Sequence, residues 1–464
     1  MSNHNHNVDL NHTLIKLKDL FLKRPYPSYD LRKKKILTLK HSLKLQEDNL
    51  YTSLAQDFGH RSHYDSLLSD FLPTIQFINY TLKKLKKWMK PSKRHSGILL
   101  APSQVSVMYQ PLGVIGVIVP WNFPLYLSIP PIVTALAAGN KVMVKMSEFT
   151  PQTNKVIREA LKELTDDIVF IEGDSEVGKS FSTLPFDHLF FTGSTFVGQK
   201  VAIEAAKNLT PVTLELGGKS PAIITDKQVL KHAVKSLVAG KTINAGQVCV
   251  APDYVLLPHH LIDEFIELFK AYFAELNFEK NGIFQMTFQH SPAHFDRAKK
   301  VIEDAIAKGA KVHPVKLESK EQMIPPTLVT NVSHEMLLMQ EEIFHSILPV
   351  IGIQNTEDAL GHIRKHDNPL ALYLFTHKRE DEDFFKNNVV AGGMAINDTL
   401  THVAVDDAPF GGVGPSGIGH YHGIEGFRRL SHAKTIFKAP SFFSKNYFLL
   451  KHRQFFFKIL KKVL

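Results

Sequence analysis

From residue 13 to 90, apolar side chains recur at every third or fourth position, the spacing of one helix face, and the pattern breaks at "RPYPSYD" and "DFGHRSH". Helices are therefore predicted on both sides of each break. From about residue 105 the period changes. Short, nearly continuous apolar runs take over: "VIGVIVP" (114–120), "KVMVKM" (141–146), "DIVFIEG" (167–173), "HLFFTGS" (188–194), "TLELGG" (213–218) and "AIIT" (222–225). Helix-like segments lie between them, and one, 129–138, ends at Gly139-Asn140, residue types that close a helix. Strands alternating with helices predict a parallel, doubly wound sheet buried on both faces, the α/β class. A second alternation follows, with strand "DYVLLP" (253–258), helices at 260–276 and 294–308, strands "AKVHPV" and "ILPVIG", and a helix at 356–366. It predicts a second α/β domain. No internal repeat is visible.

The chain has 464 residues, room for two or three domains of about 150–200 residues each, and its 44% hydrophobic content excludes wholesale disorder. A single cysteine rules out a disulfide framework and a multi-cysteine zinc site, so no metal is expected. It fits a reducing compartment, hence the cytoplasm. "MSNHNHNVDL" has neither a basic start nor an apolar core, so no signal peptide is expected, and no apolar run reaches the ~18 residues that cross a bilayer.

The net charge of +10 is local: residues 83–94 hold seven basic groups and no acid, residues 441–464 hold six and no acid, and the remainder sums to about −3. That argues against a protein built around nucleic acid. Residues 83–94 read as a solvated helix face. The tail, 441–464, interleaves aromatic and basic residues. Two readings stand open for it: peripheral contact with an anionic membrane, or a terminal helix packed on its own protein or on a second subunit.

Gly173-Asp-Ser-Glu-Val-Gly-Lys-Ser180 fits G-x-x-x-x-G-K-[ST] after an apolar strand, the signature of a P-loop nucleotidase. Asp174 and Glu176 would place negative charge where phosphates must lie, and Pro185 would curtail the helix that should carry them. Gly412–Gly417 fits G-x-G-x-x-G but follows no clear strand and contains Pro415, so it reads as a backbone-tight connection. "FTGSTFVG" (191–198), between a strand and a helix, offers small residues where a pyrophosphate could approach the backbone, though its spacing is not the usual fingerprint.

The only cysteine lies in "NAGQVC" (244–249). Alone it reads more readily as an inert buried thiol than as a nucleophile, but "NAGQ" looks too polar and flexible for a packed strand. Glu215 enters a Gly-Gly turn at a strand end, placed either to reach a cleft or to form a surface ion pair. Asn122, in "VPWNFP", is an oxyanion donor or a turn cap. Lys145 and Glu148 end the strand "KVMVKMSE", a cofactor position in α/β sheets or a surface ion pair.

Taken together and in order, "PWNFP", "KMSE", "FTGSTFVG", "LELGGKSP", "NAGQVC", "EEIF" (341–344) and "PFGGVGPSG" (409–417) resemble the NAD(P)-dependent aldehyde dehydrogenase superfamily over about residues 10–440. "GQVCVAPDYVLL" and residues 402–423 look most like its class 3 branch, especially the coniferyl-aldehyde-dehydrogenase-like members. The resemblance implies that Cys249 attacks an aldehyde, aromatic or medium-to-long aliphatic. Asn122 and the Cys249 N–H would stabilise the oxyanion, an effect worth about 3–4 kcal/mol per donor. Hydride would leave for the nicotinamide, and Glu215 would activate water against the acyl thioester. Trp121, Lys145, Glu148, Gly193, Ser194, Gly198, Glu342 and Phe344 are expected at the cofactor, NAD with NADP as the alternative.

The resemblance also implies a homodimer. It assigns 1–96 and 111–214 to the cofactor domain, 215–402 to the catalytic domain, and 97–110 with 403–440 to a small β oligomerisation module. In one place the chain departs from the family pattern: His345-Ser346 stand where "EEIF" is usually followed by Gly-Pro. No helix is expected to begin at Cys249, which leaves its activation without a source. A P-loop NTPase and a catalytically silent membrane-associated scaffold are the competing readings.

Overall fold

The computed structural model describes residues 3–97, 100–280, 283–317 and 323–463. Helices Asn3–Leu22, Tyr29–Leu45, Glu47–Asp57 and Leu72–Trp88 flank the two predicted breaks. The first begins earlier than the apolar spacing indicated. Ser28 and Ser62 cap the helices that follow each break, accepting from Leu31 N (3.4 Å) and Asp65 N (3.0 Å). In the basic stretch, Leu85 and Trp88 face the core while Lys83, Lys86, Lys87 and Lys90 are exposed, as a solvated helix face requires.

Two sheets form the centre of the α/β architecture. The six-stranded sheet orders its strands Gly417–Ile418, Val212–Glu215, His188–Thr192, Val114–Ile118, Lys141–Lys145 and Ile168–Ile171, all parallel except the first. The seven-stranded sheet runs Lys311–Pro314, Thr327–Thr330, Ile347–Ile353, Tyr254–Pro258, Pro221–Ile224, Ala371–Phe375 and Gly393–Ile396, parallel except for Lys311–Pro314. "AIIT", counted with the first alternation, lies in this second sheet. The glycine pair 217–218 ends one strand and lets the chain cross to the next layer before pairing resumes. Both faces of the central strands are buried, as the unbroken apolar runs require.

A third, antiparallel sheet joins Ser92–Arg94, Gln104–Pro111 and Ser431–Lys438, the last strand largely exposed. Asn140 ties it to the core: its Oδ1 accepts from Leu112 N (2.7 Å) and Gly113 N (3.0 Å), and its Nδ2 donates to Leu430 O (2.8 Å). The preceding Gly139, at φ +95°, closes helix Ile129–Ala138 as expected. Gly412 and Gly417 form the tight connection read from their spacing, for a Cβ at Gly412 would overlap the Ser416 carbonyl.

The tail folds into helices Lys445–Lys451 and Arg453–Val463. Phe442, Tyr447, Phe448, Leu450, Phe455 and Phe457 on it are exposed. No helix among the described residues is long and apolar enough to cross a membrane. Because the tail buries so little against the body, deleting residues 441–464 should move the melting temperature by less than about 2 °C in calorimetry. A drop of ten degrees would mean the tail is part of the core.

Candidate active site

Glu215 ends its strand at the bottom of a cavity of about 1160 Å³, and Cys249 lines the same cavity. Cys249 Sγ lies 3.8 Å from Glu215 Oε1. The thiol is half-buried and Glu215 is 2% exposed, so the carboxyl is an interior group and not a surface acid. Burial pushes Glu215 up to about 7, opposed by hydrogen bonds from Thr192, Cys249 and Tyr421; Thr192 Oγ1 donates to Oε2 at 3.3 Å. Burial, and then the carboxyls of Glu215 and Glu342, push the Cys249 thiol well above its ordinary value, with its own and the Val250 N–H acting the other way. As expected, no helix begins at the thiol.

The "NAGQ" run is neither flexible nor solvated. Asn244, Ala245 and Gly246 turn through left-handed backbone (φ +48°, +54° and +73°), and Asn244, Ala245 and Gln247 are wholly buried. Both side-chain amide nitrogens are bonded internally, while Asn244 Oδ1 is buried without a partner. Asn244 Nδ2 donates to Asn122 O and to Gln247 O, both at 3.1 Å. Gln247 Nε2 reaches Asn244 O and Phe288 O, and its Oε1 accepts from His290 N. These side chains act as fasteners: they attach the cysteine loop to Asn122, whose Nδ2 returns a bond to Gln247 O at 3.2 Å. Arg61 Nη1 donates to the same Asn122 carbonyl at 3.3 Å and pairs with buried Asp70 at 3.7 Å. Burial raises Asp70 to about 7 against the pull of Arg61, and its Oδ1 accepts from Tyr126 N at 2.6 Å.

Trp121, Asn122, Glu148, Gly193, Ser194, Glu215, Cys249, Glu342 and Phe344 all line the one cavity. Two expected residues do not. Lys145 sits behind the wall, its Nζ donating to Glu148 Oε2 (3.0 Å) and Met146 O (2.8 Å), so it fixes the carboxylate from below. Gly198 faces the sheet: a Cβ there would come within 2.5 Å of Leu216 Cδ2, which makes it a helix-packing position. Ser194 caps helix Thr195–Ala206, whose N-terminus opens on the cavity beside Gly193.

With His345-Ser346 after it, the "EEIF" turn is held by Arg297, which donates to Ile343 O (2.8 Å), Glu342 O (2.6 Å) and Glu341 Oε2 (3.1 Å). Phe344 takes φ +55° and stands edge-on to Trp121 at 5.6 Å, while His345 is fully buried against Gly246. Glu342 is lodged over Gly217, and burial and Asp253 push it up to about 8, against Lys219 and Arg297.

The P-loop match has no phosphate cradle. Asp174 Oδ1 accepts from Glu176 N (3.0 Å) and Val177 N (3.2 Å), so the helix Ser175–Ser182 is capped by its own carboxylate, and Lys179 is exposed beside Glu176. Asp226, which could have served as a magnesium carboxylate, instead caps helix Lys227–Thr242 through Gln228 N. Thr192, Tyr421, Arg61, Asn244 and Arg297 were not singled out from sequence. Thr192 stood inside "FTGSTFVG", next to the chosen Gly193, and Asn244 inside "NAGQVC", while Tyr421 lay in the stretch 402–423 beside no chosen residue.

A helix N-terminus beside glycine, a partly exposed carboxylate beneath which Lys145 lies, and an aromatic wall suit a nicotinamide dinucleotide, and the cavity that holds them ends at a thiol. The fold and the site thus fit a class: dinucleotide-dependent oxidoreductases. Residues 28–436 match the aldehyde dehydrogenase family, and the chain belongs to it. It is 45% identical to a probable coniferyl aldehyde dehydrogenase of Pseudomonas aeruginosa over 91% of this chain and 89% of that one. It is 39% identical to a coniferyl aldehyde dehydrogenase of a Pseudomonas species, over 83% and 81%. Staphylococcus aureus AldH in a substrate-bound state superimposes with a TM-score of 0.89 at 32% identity, covering 94% and 95%. A Mycobacterium tuberculosis aldehyde dehydrogenase complexed with NAD+ gives 0.84 at 27%, covering 94% and 91%. The protein is an NAD(P)-dependent aldehyde dehydrogenase.

Gly246 tests the cysteine loop. A Cβ there would lie 2.5 Å from His345 O on backbone that disfavours side chains, so Gly246→Ala should cost about 3 kcal/mol in urea unfolding and slow thiol alkylation. Unchanged stability and reactivity would show that the turn is not a fixed support.

Proposed function

We propose that the physiological substrate is an aldehyde that is aromatic and coniferyl-like or medium-to-long aliphatic, oxidised to its acid at Cys249, Glu215 and Asn122. The observation that carries the roles is the 3.8 Å approach of Cys249 Sγ to Glu215 Oε1 in a cavity that also holds Asn122. The names of the Pseudomonas relatives support the aromatic assignment. Residues 1–96 and 111–214 bind the cofactor, 215–402 carry the chemistry, and 97–110 with 403–440 join two copies. The exposed strand Ser431–Lys438 supports a homodimer.

Burial holds the Cys249 thiol protonated, and Glu215 stands near its titration point, about 7. Ionised Glu215 takes the thiol proton, and the sulfur attacks the aldehyde carbon. The oxygen becomes an oxyanion facing the Asn122 Nδ2–H that Gln247 does not use and the Cys249 N–H. NAD(P)+, when bound, accepts the hydride that this adduct loses. Trp121 and Phe344, with Glu342, would hold the nicotinamide end, while Glu148, held by Lys145, would meet the adenosine ribose and Gly193-Ser194 the pyrophosphate. A thioester remains on Cys249. Once Glu215 has passed the thiol proton to solvent, its carboxylate takes a proton from water, whose oxygen attacks the thioester carbonyl; the carbon–sulfur bond breaks, and the acid and the Cys249 thiolate are released.

Cys249→Ser should abolish NADH formation across an aldehyde panel read at the NADH absorbance with both NAD+ and NADP+. Aldehyde-dependent turnover in that variant would overturn the nucleophile. Glu215→Gln should lose the rapid acyl-enzyme burst and turn over at least ~100-fold more slowly. Because Glu215 acts when ionised, its turnover should rise with pH through about 7, and that limb should vanish in the glutamine variant.

Six basic residues, no acid and exposed aromatics on the tail support peripheral contact with anionic membrane surfaces, with the protein in the cytoplasm. Co-sedimentation with phosphatidylserine vesicles should be lost on deleting 441–464, and equal pelleting of both forms would sink this assignment.

A further inference from the structure

Between Leu372 and Leu374, in the buried strand Ala371–Phe375, stands a side chain with a polar end. Tyr373 is fully buried. A hydroxyl shut away from water needs a partner, and this one has two. Tyr373 Oη donates to Val250 O at 2.5 Å and accepts from Leu400 N at 3.4 Å. Burial pushes its proton affinity up, so the hydroxyl stays protonated and remains a donor. Val250 directly follows the thiol residue, so Tyr373 grips the back of the turn that carries the nucleophile.

Cys249 and Val250 are the central residues of a tight turn, closed by Ala251 N donating to Val248 O at 2.9 Å. Val250 O and Ala251 N belong to one peptide group, and Val248 O and Cys249 N belong to another. The hydrogen bonds therefore run in series. The Tyr373 hydroxyl donates into the first group, and the first group donates into the second. In a trans peptide the N–H points away from the C=O, so a second group held by its oxygen turns the Cys249 N–H out of the turn. Amides that accept at one end and donate at the other polarise one another, by about 10–30% per bond. The last N–H of the series is the one assigned above to the oxyanion.

We propose that Tyr373 is a positioning residue whose hydroxyl, acting through the Val250 and Val248 carbonyls, fixes and polarises the Cys249 N–H that receives the oxyanion. Tyr373 is not among the residues lining the cavity, so its influence passes through the turn. The inference rests on the oxyanion role proposed above for that N–H. Tyr254, two strands away in the same sheet, supplies the comparison. It is buried just as completely, yet its hydroxyl has no hydrogen-bond partner. What sets Tyr373 apart is its connection to the turn.

In the full-length enzyme, Tyr373→Phe should lower kcat for aldehyde oxidation ~10-fold and change KM less than ~2-fold, because the oxyanion forms only after the aldehyde is bound. Alkylation of Cys249 by iodoacetamide expels iodide and forms no oxyanion, so it should slow by less than ~3-fold. A variant that had merely moved the sulfur would slow both reactions alike. That result, or an unchanged kcat, would overturn the proposal. Tyr254→Phe should leave both rates within ~2-fold, and the same selective loss there would also overturn it. NADH fluorescence titration reports whether each variant is folded. Tyr373→4-aminophenylalanine keeps a weaker donor on the same ring, and its selective loss should fall between those of tyrosine and phenylalanine. It decides the question if Tyr373→Phe fails to bind NADH, since slowing of both reactions, or of neither, would then overturn the proposal. Asn122→Ala separates the two levels of inference: removing the other oxyanion donor should slow aldehyde oxidation ~100-fold and spare alkylation. If neither Asn122→Ala nor Tyr373→Phe shows the selective loss, the oxyanion assignment falls and the role of Tyr373 with it. If Asn122→Ala alone shows it, only the role of Tyr373 falls.

Discussion

Two hydrogen bonds to one carbonyl oxygen decide whether this site exists. Asn122 leaves the six-stranded sheet and Cys249 belongs to a loop before the seven-stranded sheet, so nothing in either sheet sets their separation. Arg61 and Asn244 do so by donating to Asn122 O, at 3.3 and 3.1 Å, while Gln247 O receives the Asn122 amide in return. In a water-free interior such bonds are strong when complete and expensive when one partner is missing. The buried Asp70, which holds Arg61 on one side and the Tyr126 N–H on the other, extends the same fastening to the helical N-terminal region.

Electrostatics gives the site a second property. Glu215 stands at about 7 and Glu342 at about 8, while the thiol between them is held protonated. Three acids sharing one desolvated space cannot all ionise, since each charge raises the cost of the next. No cation is among the groups acting on the thiol. Glu215 Oε1 lies 3.8 Å from the sulfur, and burial has brought this carboxyl's proton affinity close to that suited to a general base.

Much of this was legible in the chain. Unbroken apolar runs marked most of the parallel strands because both faces of each are covered. "TLVT" and "ALYLF" were not read as strands, though both pair within the second sheet. Cys249, Glu215 and Asn122 were found through motif order; their mutual distances depend on long-range packing that no local pattern encodes. The amides of "NAGQ" looked solvated because sequence shows polarity but not partners. Gly198 was read as a cofactor residue when its missing side chain makes room for Leu216. Arg297 takes over the turn after Glu342 from a distant helix, which local reading around His345 could not reveal.

The solitude of Cys249 has a consequence for how the enzyme meets oxidants. A thiol converted to sulfenic acid is ordinarily rescued by a neighbouring thiol that captures it as a disulfide. These 464 residues contain no second cysteine, so rescue must come from a small thiol entering the cavity from solution. The dimensions that admit substrate thus also set the rate of repair, and a bound dinucleotide or acyl group shields the sulfur from both damage and recovery.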